Sequence, residues 1–300
     1  MRTLVTFSFA MFVACNGTDG TDTSSDTDGP DGPIVFEDLI NTTFQARGDF
    51  SCYTAGDPWL VQDVDPAKVE ILGGGGEVLD FQSDDPVPEA TVQVWHDNEP
   101  VGAPDDFGMS NQDGQVSVDV QVCAPFTYKT FTNPDLEATI DTYQSHFILD
   151  PAEASRAEFL SVSITTYRLI PSVLGLSVRD GHAVIAGRAY DCQREPVEGA
   201  QVIVRDRATG DIQQDQRVRY FVDEFPNRDQ PHTSDDGLWN VIDVATGVYT
   251  VEMWINDGEE LVLIGSTELD IVPDSINISN TYVGYGDGVR YPDSCLVDEE

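Results

Sequence analysis

The sequence predicts an all-β protein in which two tandem Greek-key β-sandwiches are joined by one helix and preceded by a leader and a polar tether. Three observations carry that expectation. Apolar residues alternate with polar ones at period two: Val92 and Val94 stand between Thr91, Gln93 and Trp95, and Val116, Val118, Val120 and Val122 stand between Ser117, Asp119 and Gln121. Asp-Gly pairs at 113–114 and 236–237 open such runs, and glycine supplies the positive φ of a tight turn. The same order of residues also occurs twice in 300 residues, a length that accommodates two domains of usual size.

From the N-terminus, residues 1–14 combine Arg2 with a mainly apolar run from Leu4 to Ala14. That run is too short for the roughly 20 residues of a bilayer-spanning helix, so it reads as a secretory signal peptide. Val13-Ala14-Cys15 resembles the lipobox of bacterial lipoproteins, which implies acylation of Cys15 and an anchor in the outer membrane or on the cell surface. Residues 15–33 follow as a tether. Positions 16–33 hold only Asn, Gly, Thr, Asp, Ser and Pro, which cannot enter a core, and such a chain reaches ~25 Å.

The first sandwich is assigned to 34–150 and the second to 175–300. Aligning the halves places Asp80 on Asp191, Pro86 on Pro196, Ala90 on Ala200, Asp113-Gly114 on Asp236-Gly237 and Tyr128 on Tyr249. A repeat at this spacing is a duplicated domain. Between the halves, Asp150 and Pro151 make a helix N-terminus, and Phe159, Val162, Tyr167, Ile170 and Leu174 recur near helical spacing, so 151–174 is read as a connecting helix ending near Pro171. The repeated order of Gly, Asp, Pro-Val-x-x-Ala-x-Val, Asp-Gly and Gly-x-Tyr-x-Val resembles the carboxypeptidase-regulatory-like domain. The match is good over Ala183 to about Tyr285. It is weaker over Val69 to Leu149, where Cys123-Ala124-Pro125 replaces the Gly-x-Tyr approach. The resemblance implies a transthyretin-like, carbohydrate-binding-like sandwich without chemistry of its own.

Cys15 aside, the cysteines are Cys52, Cys123, Cys192 and Cys295, an even number in an exported chain and hence a disulfide framework. Four cysteines permit three pairings; a split near residue 175 gives each half two, and the expectation is Cys52–Cys123 with Cys192–Cys295.

Charge and motif content limit the function. Fifteen Lys and Arg against 54 Asp and Glu give −39, which excludes a nucleic-acid partner that requires a basic surface. His96-Asp97-Asn98-Glu99 has the H-x-x-E spacing of zinc carboxypeptidases, but nothing after it continues the pattern. No G-x-S-x-G occurs, and His182 has no orienting partner recognisable in the sequence. The paired acids at 84–85, 105–106 and 235–236 read as solvated turns. Adhesin sandwiches with Lys–Asn isopeptide bonds resemble this architecture, but the second half has no lysine, leaving Lys68 in the first. No metal or cofactor is expected.

Aromatic residues are the candidate ligand contacts. Trp239 aligns with Val116 and should be core. Trp95 shares a face with Thr91 and Gln93, and Trp254 with Thr250 and Glu252, so both should point outward as stacking platforms for a sugar or an apolar partner. The long excursion 207–235, with Tyr220, Phe221, Phe225 and His232, offers a second surface. Taken together, the expectation is a non-enzymatic envelope lipoprotein for adhesion, scaffolding or recognition of a carbohydrate or protein ligand. Its rival is a metal-dependent hydrolase using acidic loops with His96 or His232.

Overall fold

The computed structural model describes residues 36, 40, 43–53, 59–133, 135, 138–212, 218–286 and 289–298. The signal peptide, Cys15 and the tether lie outside the described residues. The first half runs through β1 (Glu70–Gly73), β2 (Gly76–Asp80), β3 (Ala90–Trp95), β4 (Asp106–Met109), β5 (Gln115–Val116), β6 (Asp119–Val122), β7 (Phe126–Thr132), β8 (Thr139–Ile140), β9 (Thr142–Phe147) and β10 (Ala157–Ser163), then helix α1 (Ile164–Leu174). The second contributes β11 (His182–Tyr190), β12 (Gln201–Asp206), β13 (Val218–Val222), β14 (Phe225–Asn227), β15 (Leu238–Ala245), β16 (Val248–Asn256), β17 (Leu261–Asp270), β18 (Ile276–Ile278) and β19 (Thr281–Tyr282). The protein is mainly β, as expected.

Each half has its own sandwich core. In the first, Val92 and Val94 of β3, the valines at 116, 118, 120 and 122, Phe126, Tyr128 and Phe159 are buried in one cluster. In the second, Ile185, Val202, Val204, Trp239, Val241, Tyr249 and Val251 do the same. The period-two alternation therefore marks inward faces correctly, and Trp239 is core at 1% exposure.

The repeat is visible at the level of single hydrogen bonds. Asp80 Oδ1 accepts from Gln82 and Ser83 N–H, and Asp191 Oδ1 from Gln193 and Glu195 N–H, so each aspartate closes the turn after its strand. Ala90 N–H donates to Ser110 Oγ, whose hydroxyl donates to Val87 carbonyl; Ala200 N–H donates to Thr233 Oγ1, whose hydroxyl donates to Val197 carbonyl. Gly114 and Gly237 have φ of +75° and +67°, and a Cβ on either would stand within 3 Å of Pro86 or Pro196. The repeated residues are thus those that bind strand to turn.

The halves are joined through their sheets. One ten-stranded sheet has the order β14-β13-β15-β11-β18-β9-β7-β3-β4, with β19 beside β11. The short β18 pairs in parallel with β11 on one side and β9 on the other, so it bridges the second half to the first. The described residues of both halves accordingly form one compact unit.

Two expectations need correction. The helix assigned to 151–174 occupies only Ile164–Leu174. Asp150 does cap a turn, but a 3₁₀ turn of three residues, Pro151–Glu153, and Ala157–Ser163 is strand β10, parallel to β2. The β-branched residues and the alternating burial of Ala157, Phe159 and Ser161 favour the strand. The helix begins only after Ser163, whose Oγ accepts from Thr166 N–H, and stops at Gly175 in the left-handed region, with Pro171 inside its last turn.

The disulfides are Cys52–Cys192 and Cys123–Cys295, with Cα separations of 5.7 and 5.2 Å, and not the pairing within halves. Both ends of the described chain cross over. Residues 46–49 bind the second half: Ala46 N–H donates to Asn256 carbonyl, Arg47 N–H to Glu198 carbonyl, and Asp49 carbonyl accepts from Cys192 N–H. The C-terminal segment returns to the first half, where Asp65 N–H donates to Cys295 carbonyl and Val297 N–H to Asp63 carbonyl. Each cysteine therefore meets a partner in the opposite half.

A non-reduced digest should yield cross-half peptides containing Cys52 with Cys192 and Cys123 with Cys295. Replacing either pair by alanine should lower stability by about 5 kcal/mol on the chain-entropy account, a melting-temperature drop on the order of 10 °C; unchanged melting would contradict the stapling role.

Candidate functional site

The three candidate ligand aromatics fall in different environments. Trp95 is 5% exposed, although it lies on the face opposite Val92 and Val94. Tyr143 of β9 packs against it, with ring centroids 6.4 Å apart, so the outer face of this sheet is itself covered there. Tyr220 is 6% exposed and belongs to the second core; its oxygen accepts from Val202 N–H at 2.9 Å, and burial pushes its phenol well above the usual value. Neither ring is a surface platform. Trp254 does point outward from β16, beside Thr250 and Glu252, and donates Nε1–H to Glu252 Oε2 at 3.0 Å. Phe36 stacks edge-on against it at 4.6 Å, and Arg205 pairs with the same Glu252.

The four histidines are held by main-chain carbonyls in separate places. His96 Nε2 lies 3.2 Å from Asp119 carbonyl, with Asp105 at 3.8 Å from Nδ1. His146 Nε2 lies 2.7 Å from Glu268 carbonyl. His232, buried, has Nδ1 2.9 Å from Thr233 carbonyl and stacks on Phe44 at 4.1 Å. His96 belongs to the first half and His232 to the second, and the two are not brought together in one centre. Among the described residues no three His, Cys, Asp or Glu side chains gather where they could hold a metal ion.

His182 has a partner that sequence reading missed. Its Nδ1 lies 3.1 Å from Asp243 Oδ1, and Arg179 Nε donates to Asp243 Oδ2 at 2.8 Å. Asp243 is 61 residues away and carries a φ of +66° where the β11–β15 register shifts, so only the bulge reveals the pairing. Lys68 donates Nζ–H to Leu296 carbonyl at 2.7 Å and faces Asp298, with no asparagine among the described residues at its amine; Lys129 pairs with Asp141 between the rings of Phe131 and Tyr143.

One concavity is not disclosed by the sequence. A trough of about 390 Å³ runs between the outer face of the long sheet and the β10–α1 segment. Its floor is Val184 and Ala186 of β11 with Ile276 and Ile278 of β18, and Leu160 and Tyr167 form part of its wall. A volume of this size falls in the usual range for small-molecule sites, ~300–1,000 Å³.

No family model matches the chain, and no curated protein does. Among solved structures it is similar to the Bacillus anthracis TIE protein, at 13% identity over 71% of this chain and 34% of that one, with a TM-score of 0.23. It is similar to the shaft pilin SpaA from Lactobacillus rhamnosus GG, at 12% identity over 71% and 98%, with a TM-score of 0.22. It is similar to GBS52, the minor pilin of Streptococcus agalactiae, at 9% identity over 76% and 100%, with a TM-score of 0.23. The chain spans about a third of the length of the first of these. Superpositions this loose leave the reading of the site to the chain's own residues.

Replacing Tyr220 by Phe should leave Val202 N–H buried without its acceptor and cost about 1–3 kcal/mol in a denaturant titration. Trp254→Ala should leave the fold's secondary structure intact by circular dichroism, since Trp254 stands outside both sandwich cores.

Proposed function

We propose that this chain is a non-enzymatic cell-envelope lipoprotein that presents a disulfide-stapled β-sandwich body for adhesion, scaffolding or recognition. The observation that supports it best is the engagement of the histidines: His96, His146, His182 and His232 each face a main-chain carbonyl in a different part of the fold, so their ring nitrogens act as struts between segments. Cys52–Cys192 and Cys123–Cys295 support export, because such staples persist in oxidising compartments. The acyl-bearing Cys15 and the polar tether would then hold the body off an outer-membrane or cell-surface leaflet, and −39 net charge would keep it clear of anionic lipid. Both halves are read as carboxypeptidase-regulatory-like modules on their shared aspartate turn, proline–glycine contact and Ser110 or Thr233 plug. Trp254 is the remaining candidate contact for a carbohydrate or protein ligand.

The anchor is tested by detergent phase partitioning of the protein expressed in a Gram-negative host. The native chain should enter the detergent phase and Cys15→Ser the aqueous phase; a Cys15→Ser protein that still partitions into detergent would overturn the lipoprotein reading. Stoichiometric zinc or iron in the purified protein would count against the non-enzymatic one.

A further inference from the structure

The trough has an interior feature that a merely structural groove has no use for. β15 is buried along both faces: Trp239 and Val241 enter the second core, which turns Leu238, Asn240 and Ile242 to the opposite face, the one lining the trough. In the middle of that apolar face stands Asn240, 2% exposed, whose Oδ1 is buried without a hydrogen-bond partner among the described residues. Arg188 of β11 also lines the trough. In the register it pairs with Leu238 while Ala186 pairs with Asn240, so Arg188 and Asn240 are diagonal neighbours on one face. Arg188 Nε is likewise buried without a partner, and its guanidinium forms no ion pair among the described residues, in a chain where acids outnumber bases by more than three to one.

A buried carboxamide oxygen and a buried guanidinium N–H left open side by side are costly, and a ligand that completes both would remove that cost. The chemistry of the surroundings selects the ligand. The floor and wall, Val184, Ala186, Ile276, Ile278, Leu160 and Tyr167, demand an apolar body. The exposed carboxylates of Asp84, Glu158 and Glu224 at the margin disfavour an anionic head, and the unpaired Arg188 disfavours a cationic one. A neutral head that both accepts and donates would answer Arg188 and the carboxamide of Asn240 together. We propose that the trough binds a small apolar molecule bearing one carboxamide group, with Asn240 as its specificity-determining residue.

The test uses three probes with one tail and different heads: octanamide, octanoate and octylammonium, each titrated calorimetrically into the purified full-length protein. Octanamide should bind, and the two charged probes should bind about tenfold more weakly or worse. Asn240→Leu, of similar volume and apolar, should weaken octanamide by about tenfold while raising the melting temperature, because it removes an unsatisfied buried group. Ala186→Trp, which fills the floor, should abolish binding of all three. Absence of octanamide binding, a charged probe that binds as tightly, or an octanamide affinity unchanged by either substitution would overturn the proposal. So would a fall in melting temperature on Asn240→Leu, which would make Asn240 a structural residue.

Discussion

The body of this protein depends on a crossing of its two ends. Residues 46–53 leave the half they precede in sequence and dock on the second, while residues 293–297 leave the second and dock on the first. Each is attached by a few main-chain hydrogen bonds and then by one disulfide, and the disulfides close spans of 140 and 172 residues. Individual exchanged hydrogen bonds are worth about 1 kcal/mol net, which does not hold a terminal segment against fraying, whereas a covalent closure of so long a loop removes several kcal/mol of chain entropy from the unfolded state. With the ends fixed, β18 can remain only three residues long and still carry the sheet from one half to the other.

That arrangement explains why the two sandwiches share a groove. β18 brings the outer face of β11 and β15 alongside the first half, and β10 and α1 close over it, so the apolar residues Val162, Val184, Ile276 and Ile278 are buried in a cluster that belongs to neither sandwich core. The trough is the part of this cluster that side chains leave unfilled. Its existence follows from joining two modules edge to edge, and its polar lining follows from which residues the outward positions of β11 and β15 carry.

Much of the fold was legible because its determinants are local. Period-two valines reported inward faces, and the repeated Asp, Pro-Val-x-x-Ala and Asp-Gly sets reported turns that each close through contacts within about 40 residues. The disulfide pairing was not legible, because it is decided by where the ends travel, and nothing in the neighbourhood of Cys52 or Cys295 encodes a crossing. The helix was overextended for a related reason: Phe159, Val162 and Tyr167 satisfy helical spacing, but Ala157, Phe159 and Ser161 equally satisfy alternation, and only the availability of β2 as a parallel partner decides between them. Trp95 misled because its strand alternates correctly; the sequence cannot show that Tyr143, on a strand two places away in the sheet, lies over the polar face.

The site was the least legible part, yet one signal was present. The run Leu238–Ala245 is apolar on both faces, as a central strand should be, and a single uncharged polar residue, Asn240, interrupts its outward face. In a strand buried on one side only, an asparagine at that position would be a solvent contact and need no explanation. Once β10 and α1 cover the sheet, the same residue becomes a buried carboxamide in an apolar wall, where leucine would stabilise the fold more. A sequence with the costlier residue in the lining of this trough is locally inconsistent with its own packing, and such inconsistencies concentrate at sites where binding, rather than folding, sets the residue.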